Sequence, residues 1–256
     1  MGLISLLITY IAPIFIIISP LTSYSDQIWS IHKTRSSAGF SLDIPLIMLV
    51  ASILRVFYWL GEFFDTSLLV QALIMICVQV LLLKVALDNR PLPGHKGGVS
   101  STPFVGSKDG DIVAARPYNF WQWRSPRPYW QFLGTFTVGL FIIHLFLSHI
   151  RAYIALIGYL ALSVEATLPI PQVLSNQRAR SCKGFRFSVL FSWIFGDIMK
   201  MVFFFFAESP IPWAFKICGM FQFACDLYLG VQYWQFGEGP GSAVPEQGPW
   251  PMREKA

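Results

Sequence analysis

EATLPIPQVLSNQRARSCKGFRFSVLFSWIFGDIMK, residues 165–200, decides how the rest of the chain is read. An apolar helix carrying an acid and two prolines runs into Pro171-Gln172, passes through a basic turn to Gly184-Phe185, and gives way to an apolar run that holds Asp197 and Lys200. A weaker copy lies upstream. Asp26-Gln27 stands for Pro171-Gln172, Gly39-Phe40 for Gly184-Phe185 and Arg55 for Lys200, all at one offset of about 145 residues, the mark of an internal repeat.

Composition says where such a repeat resides. Of 256 residues, 54% are hydrophobic and 13% charged, and the mean hydropathy is +0.54. That is more apolar surface than one soluble core can hide, so the chain reads as an all-α, polytopic membrane protein. The net charge of +5 does not point to nucleic acid. Its basic residues fall in the turns between apolar runs, where they set orientation, and no basic amphipathic element or stacking platform accompanies them. The cysteines, Cys77, Cys182, Cys218 and Cys225, lack metal-ligand spacing and read as small packing residues. No metal or cofactor is expected. The N-terminal apolar stretch lacks a basic leader or a small-residue cleavage site and reads as a retained span.

Apolar runs long enough to cross a bilayer fall at 4–21, 43–60, 67–87, 132–149, 152–174, 186–206 and 211–233. Seven spans place alternate loops on opposite sides. Lys33 and Arg35, the six basic residues between Arg90 and Arg127, the four between Arg178 and Arg186, and Arg253 with Lys255 then share one side. The other side holds Arg151 and Lys216. The positive excess predicts a cytoplasmic central loop and C-terminus and a lumenal or extracellular N-terminus.

Four spans separate Gln27 from Gln172, an even number, so the copies face the same way. The plan is 3+1+3, two parallel three-helix repeats joined by a helix that restores orientation. Residues 1–87 form the first repeat, 88–131 a loop, 132–149 the linker helix, 152–236 the second repeat and 237–256 a disordered tail. Sites in such transporters lie between the repeats near the midplane. Phe120, Trp121 and Trp123, just before the fourth span, are expected as an interfacial anchor.

Proline within a membrane helix removes a backbone donor and opposes the carbonyl four residues earlier. Pro169 and Pro171 do this to Glu165 and Thr167, and Pro13 and Pro20 to Thr9 and Ile16. Each site is either a static kink or a moving hinge. Ionisable groups deep in spans mark function by default. Glu165, Asp197, Lys200, Asp226 and Arg55 qualify, with Gln79, Gln222, His144 and His149 as polar company. Asp197 and Lys200 can pair at i, i+3. The first copy has Ser52 in place of Asp197, so Arg55 needs an acid from another helix, either Glu165 or Asp226. No nucleophile elbow, phosphate loop or metal cluster is present, and an enzyme is not expected.

Together, Pro171-Gln172, Gly39-Phe40-Ser41, Ile53-Leu54-Arg55, Phe120-Trp121-Gln122-Trp123, Gly196-Asp197 with Lys200, and Cys218-Gly219 with Gln222 and Asp226 resemble the PQ-loop repeat family. Cystinosin and lysosomal cationic amino-acid exporters belong to it, and its fold is similar to that of the SWEET sugar transporters. The closest resemblance is to the branch called PQ-loop repeat-containing protein one and its fungal counterparts. Asp26 departs from the first motif's proline, with Pro20 about one and a half turns earlier.

The resemblance implies phospholipid movement between leaflets of endosomal or Golgi membranes, opposing the lipid flippases. The substrate pathway would run along Glu165, Asp197, Lys200, Gln222, Asp226 and Arg55. The hinges would fall at Pro169, Pro171 and Gln172 and at Pro20, Asp26 and Gln27. Sister branches imply an alternative, proton-coupled export of a small solute such as a basic amino acid from a vacuole or lysosome. Here Ser175 and Asn176 stand where those proteins carry an aspartate, which favours lipid. A trafficking scaffold acting through the central loop is a third reading. Partners implied are membrane lipids, with a homo-oligomer and trafficking factors as further candidates.

Overall fold

The computed structural model describes residues 11–35, 37, 42–90, 120, 121, 123, 125–180, 182, 187–207 and 210–237. Every regular element among them is helical: α1 (Ala12–Thr34), α2 (Asp43–Glu62), α3 (Thr66–Asp88), α4 (Arg127–Leu147), α5 (Arg151–Ala166), α6 (Ile170–Ala179), α7 (Phe187–Phe206) and α8 (Trp213–Phe236). Short α6 continues the line of α5. Asp43–Glu62, Thr66–Asp88, Arg127–Leu147, Arg151–Leu174 and Trp213–Phe236 are each long and apolar enough to cross a bilayer. With α1 and α7 they make up the seven rods of a polytopic all-α membrane protein. The expected tail, most of the central loop, and both Gly-Phe turns lie outside the described residues.

Helix ends follow local chemistry. Phe63 ends α2 in the left-handed region (φ 48°) and returns its N–H to the Trp59 carbonyl. The Asp65 side chain then accepts from the Ser67 N–H at 2.8 Å and starts α3. Extended backbone at Ile150 separates α4 from α5, which begins at Arg151.

One boundary differs from expectation. The described part of the first span, which was placed at 4–21, belongs to a helix, Ala12–Thr34, that runs past Leu21 without interruption and carries Asp26 and Gln27 along its length. Pro20 does not break it. The carbonyl that Pro20 deprives of a partner, that of Ile16, accepts the Ser19 hydroxyl at 2.8 Å instead. The polar continuation is held by burial of Ile31 against Leu82 and Ala86 of α3.

The packing repeats as the sequence does. In the first copy α1 and α2 pack on α3, and in the second α5 and α7 pack on α8. Between copies, α2 packs on α5 and α1 on α7, so the second helix of each meets the first helix of the other. The largest core lies at this junction and includes Ile16, Leu54, Tyr58, Ile154, Ile157, Met199, Phe203 and Phe215. Gly158 lets α2 and α5 approach, because a Cβ there would sit 2.6 Å from the Tyr58 ring. Helix α4 stands at the periphery, with Val138, Phe141, Ile142, Leu145 and Phe146 exposed.

Candidate functional site: a polar seam between the repeats

Five helices bring polar side chains to the junction. Arg55 comes from α2, Gln71 from α3, Glu165 from α5, Lys200 from α7 and Gln222 from α8, all around one cavity of about 30 Å³. Apolar side chains, among them Ile16, Leu68, Leu162, Phe204 and Phe215, form the rest of its wall with Cys218 and Gly219. A water molecule fits such a space and a lipid headgroup does not. The seam is therefore too narrow for a headgroup as it stands.

Arg55 is buried to 4% exposure, and its acid is Glu165, the first of the two candidates. The pair joins the second helix of one repeat to the first helix of the other. Nη1 of Arg55 also donates to Gln71 Oε1 at 3.1 Å, and the guanidinium lies 5.9 Å from the centre of the Phe215 ring. A buried guanidinium needs this much company, since it keeps its charge and offers five donors.

Lys200 pairs with Asp197 at 3.4 Å, the expected i, i+3 geometry. Asp226 of α8 lies within hydrogen-bonding reach of Asp197, and both carboxylates are almost fully buried. Two acids thus gather near one ammonium. Arg55, Glu165, Lys200 and Gln222 line the cavity, while Asp197 and Asp226 stand beside it. Gln71 was missed because a lone glutamine one turn into a span is unremarkable in the sequence.

The PQ segment forms a second polar contact. Helix α5 stops at Ala166 and α6 starts at Ile170. The two carbonyls opposed by Pro169 and Pro171 are recaptured by tight turns: Leu168 N–H donates to Glu165 at 3.1 Å and Ile170 N–H to Thr167 at 3.1 Å. Gln172 donates to Asn176 at 2.7 Å, and Gln232 of α8 donates to the Val173 carbonyl at 3.0 Å and to Gln177 at 3.3 Å. Sequence reasoning singled out neither Gln232 nor Asn176 as a partner, although Gln172 and Asn176 stand at i, i+4. The second copy breaks its helix at the prolines, whereas the first bridges Pro20 with Ser19. His144 is buried in ring contacts with Phe57 and Tyr153, away from the seam.

The aromatic segment before α4 packs inward against the neighbouring helices. Trp121 is 2% exposed, and its indole N–H donates to the Leu42 carbonyl at 2.6 Å. Tyr129, buried with it, donates its hydroxyl toward the Trp121 and Trp123 carbonyls. Arg90 clasps the same unit through the Trp123 carbonyl (2.6 Å) and the Tyr129 hydroxyl (2.7 Å). Phe120, Trp121 and Trp123 together plug the end of the α2 and α3 pair, with Leu49, Leu83 and Leu133 beneath them.

Two copies of a three-helix unit, each with its Pro-Gln or Asp-Gln position on the first helix and with polar side chains gathered between them, define a repeat-built membrane transport protein. The family model described as PQ loop repeat matches at residues 4–68 and again at 153–213. The chain is also 30% identical over 282 aligned positions to Scramblase ANY1 of Saccharomyces cerevisiae, covering 88% of this chain and 70% of that protein. The chain belongs to the PQ-loop repeat family.

Proposed function

We propose that the protein moves phospholipids between leaflets without an energy source, as a scramblase, and catalyses no covalent reaction. The observation that carries this reading is the seam itself. Polar and charged groups from both repeats meet at one narrow junction, bounded by helices whose outer faces are apolar. A headgroup can pass along Arg55, Glu165, Lys200 and Gln222 while its acyl chains stay in the bilayer. Since the cavity holds no more than a water-sized body, passage requires the repeats to part, and the Arg55 and Glu165 pair is the first contact to yield. The hinge is assigned to Thr167–Pro169, where α5 and α6 are already separate. The similarity to a protein named a scramblase supports the same reading.

Endosomal or Golgi membranes are proposed as the location, with the N-terminus lumenal and the C-terminus cytoplasmic. The deciding experiment uses purified protein in liposomes. Fluorescent phospholipid of the inner leaflet is expected to become accessible to an external quencher; protection equal to that in empty vesicles would refute the proposal.

The contact of Asp197 with Asp226 favours a second reading, export of a small solute with a proton. Uptake of labelled basic amino acid driven by a pH gradient, without lipid movement, would select it.

A further inference from the structure

On the outer side of the same helix pair, α7 and α8 enclose an apolar groove of about 460 Å³ lined by Ile198, Met201, Val202, Phe205, Phe206 and Phe223. Met201 of its lining is seated on α8 at Gly219, where a Cβ would come within 2.4 Å of the Met201 methyl. Ile198 and Phe205 are nearly half exposed, while Asp197, their neighbour on α7, is buried in the seam. Groove and seam thus occupy opposite faces of one helix.

The groove has a charged end. Lys216, in the first turn of α8, places Nζ 5.4 Å from the centre of the Phe205 ring and 5.0 Å from that of Trp213. Phe205 is therefore common to the groove and to the ammonium's surroundings. Lys216 and Phe223, at i, i+7, share a face of α8 about 10 Å apart. Among the described residues no carboxylate pairs with Lys216, and the free N–H groups of the first turn add to its positive potential. A bare apolar groove accepts any hydrocarbon. One with a cation at its membrane-surface end prefers a chain that ends in an anion.

We propose that this groove docks one phospholipid, with its phosphate on Lys216 and an acyl chain laid along α7 from Phe206 toward Ile198. The inference deepens the proposed function and rests on that reading for the lipid's later passage. Docking itself is a separate measurement.

The test uses purified full-length protein in liposomes containing a phosphatidylcholine probe with a diazirine in mid-chain, or a diacylglycerol carrying the same chain and no phosphate. Peptide mapping after illumination is expected to find the phospholipid label on Ile198–Phe206 and around Phe223. Lys216→Gln is expected to lower that label about fivefold and to leave the diacylglycerol label unchanged. Val202→Trp, which fills the groove and keeps the lysine, is expected to lower both. Equal labelling by the two probes in the unmodified protein, or label indifferent to both substitutions, would overturn the proposal. Intact Lys216-dependent label in a protein that moves no lipid would sink the transport reading alone.

Discussion

Neutralising Glu165 removes the acid from a guanidinium that is 4% exposed. Breaking a buried ion pair from one side costs about 3–5 kcal/mol. Glu165→Gln falls toward the lower end, because Arg55 keeps Gln71 at 3.1 Å and the face of Phe215, and the polar cavity lies alongside. A loss of about 2–3 kcal/mol corresponds, for a protein of this size, to a melting temperature lowered by roughly 5–10 °C. Removing Arg55 as well takes away the unpaired charge, so Arg55→Met with Glu165→Gln is expected to regain most of that loss. The coupling between the two sites is about 2 kcal/mol. Thermal unfolding followed by size-exclusion in detergent reads the stability, and liposome flux measured on the same preparations reads the function. The double variant is expected to be folded but slow, having lost both charges of the seam. A shift below about 2 °C for Glu165→Gln, or a double variant no more stable than either single one, would show that the pair does not tie the repeats together.

Asp226→Asn leaves Asp197 and Lys200 as a neutral pair, so folded yield is expected to hold or rise while lipid flux falls; unchanged flux would remove Asp226 from the pathway. Gly158→Ala drives a methyl into the Tyr58 ring and is expected to cost about 1–3 kcal/mol. Gly196→Ala, which meets nothing within 4 Å, is its silent control in the same melting assay. Ser19→Ala strips the Ile16 carbonyl of its partner and is expected to cost about 1 kcal/mol. Adding Pro20→Ala is expected to restore stability by returning a backbone donor to that carbonyl, and no restoration would refute the account of α1. Cys182, buried in the turn beyond α6 with its N–H on the Gly237 carbonyl, has its thiol pKa pushed up by burial. Because the thiolate is the reactive form, its alkylation at neutral pH is expected to trail that of a free thiol and to accelerate only at a more alkaline pH; mass spectrometry of the labelled peptide reads both rates.

The spans were legible because apolar runs of bilayer length have few other uses, and the all-α class followed from them. The need of Arg55 for a foreign acid was also legible, since Ser52 offers none. Which acid it takes was not, because that depends on α2 and α5 meeting closely through Gly158. The true length of α1 was hidden by its polar stretch around Ser23 and Ser25, which lowers hydropathy without ending a helix. The packing of the aromatic segment was hidden for a related reason: the Leu42 carbonyl that holds the Trp121 indole is 79 positions away in the sequence. Gln71 and Gln232 gave no warning, since each acquires meaning only from a partner on another helix.

The marginal position of α4 has a consequence for how the molecule coheres. The halves meet chiefly through α2 with α5 and α1 with α7, and the linker adds only an edge contact, its His144 ring lying against Phe57 of α2 and Tyr153 of α5. Covalent continuity between the halves is therefore chiefly a matter of stoichiometry: it guarantees one of each. What keeps them together is their shared surface, with the Arg55 and Glu165 bond across it, so the chain is organised as a heterodimer whose two subunits happen to be translated as one.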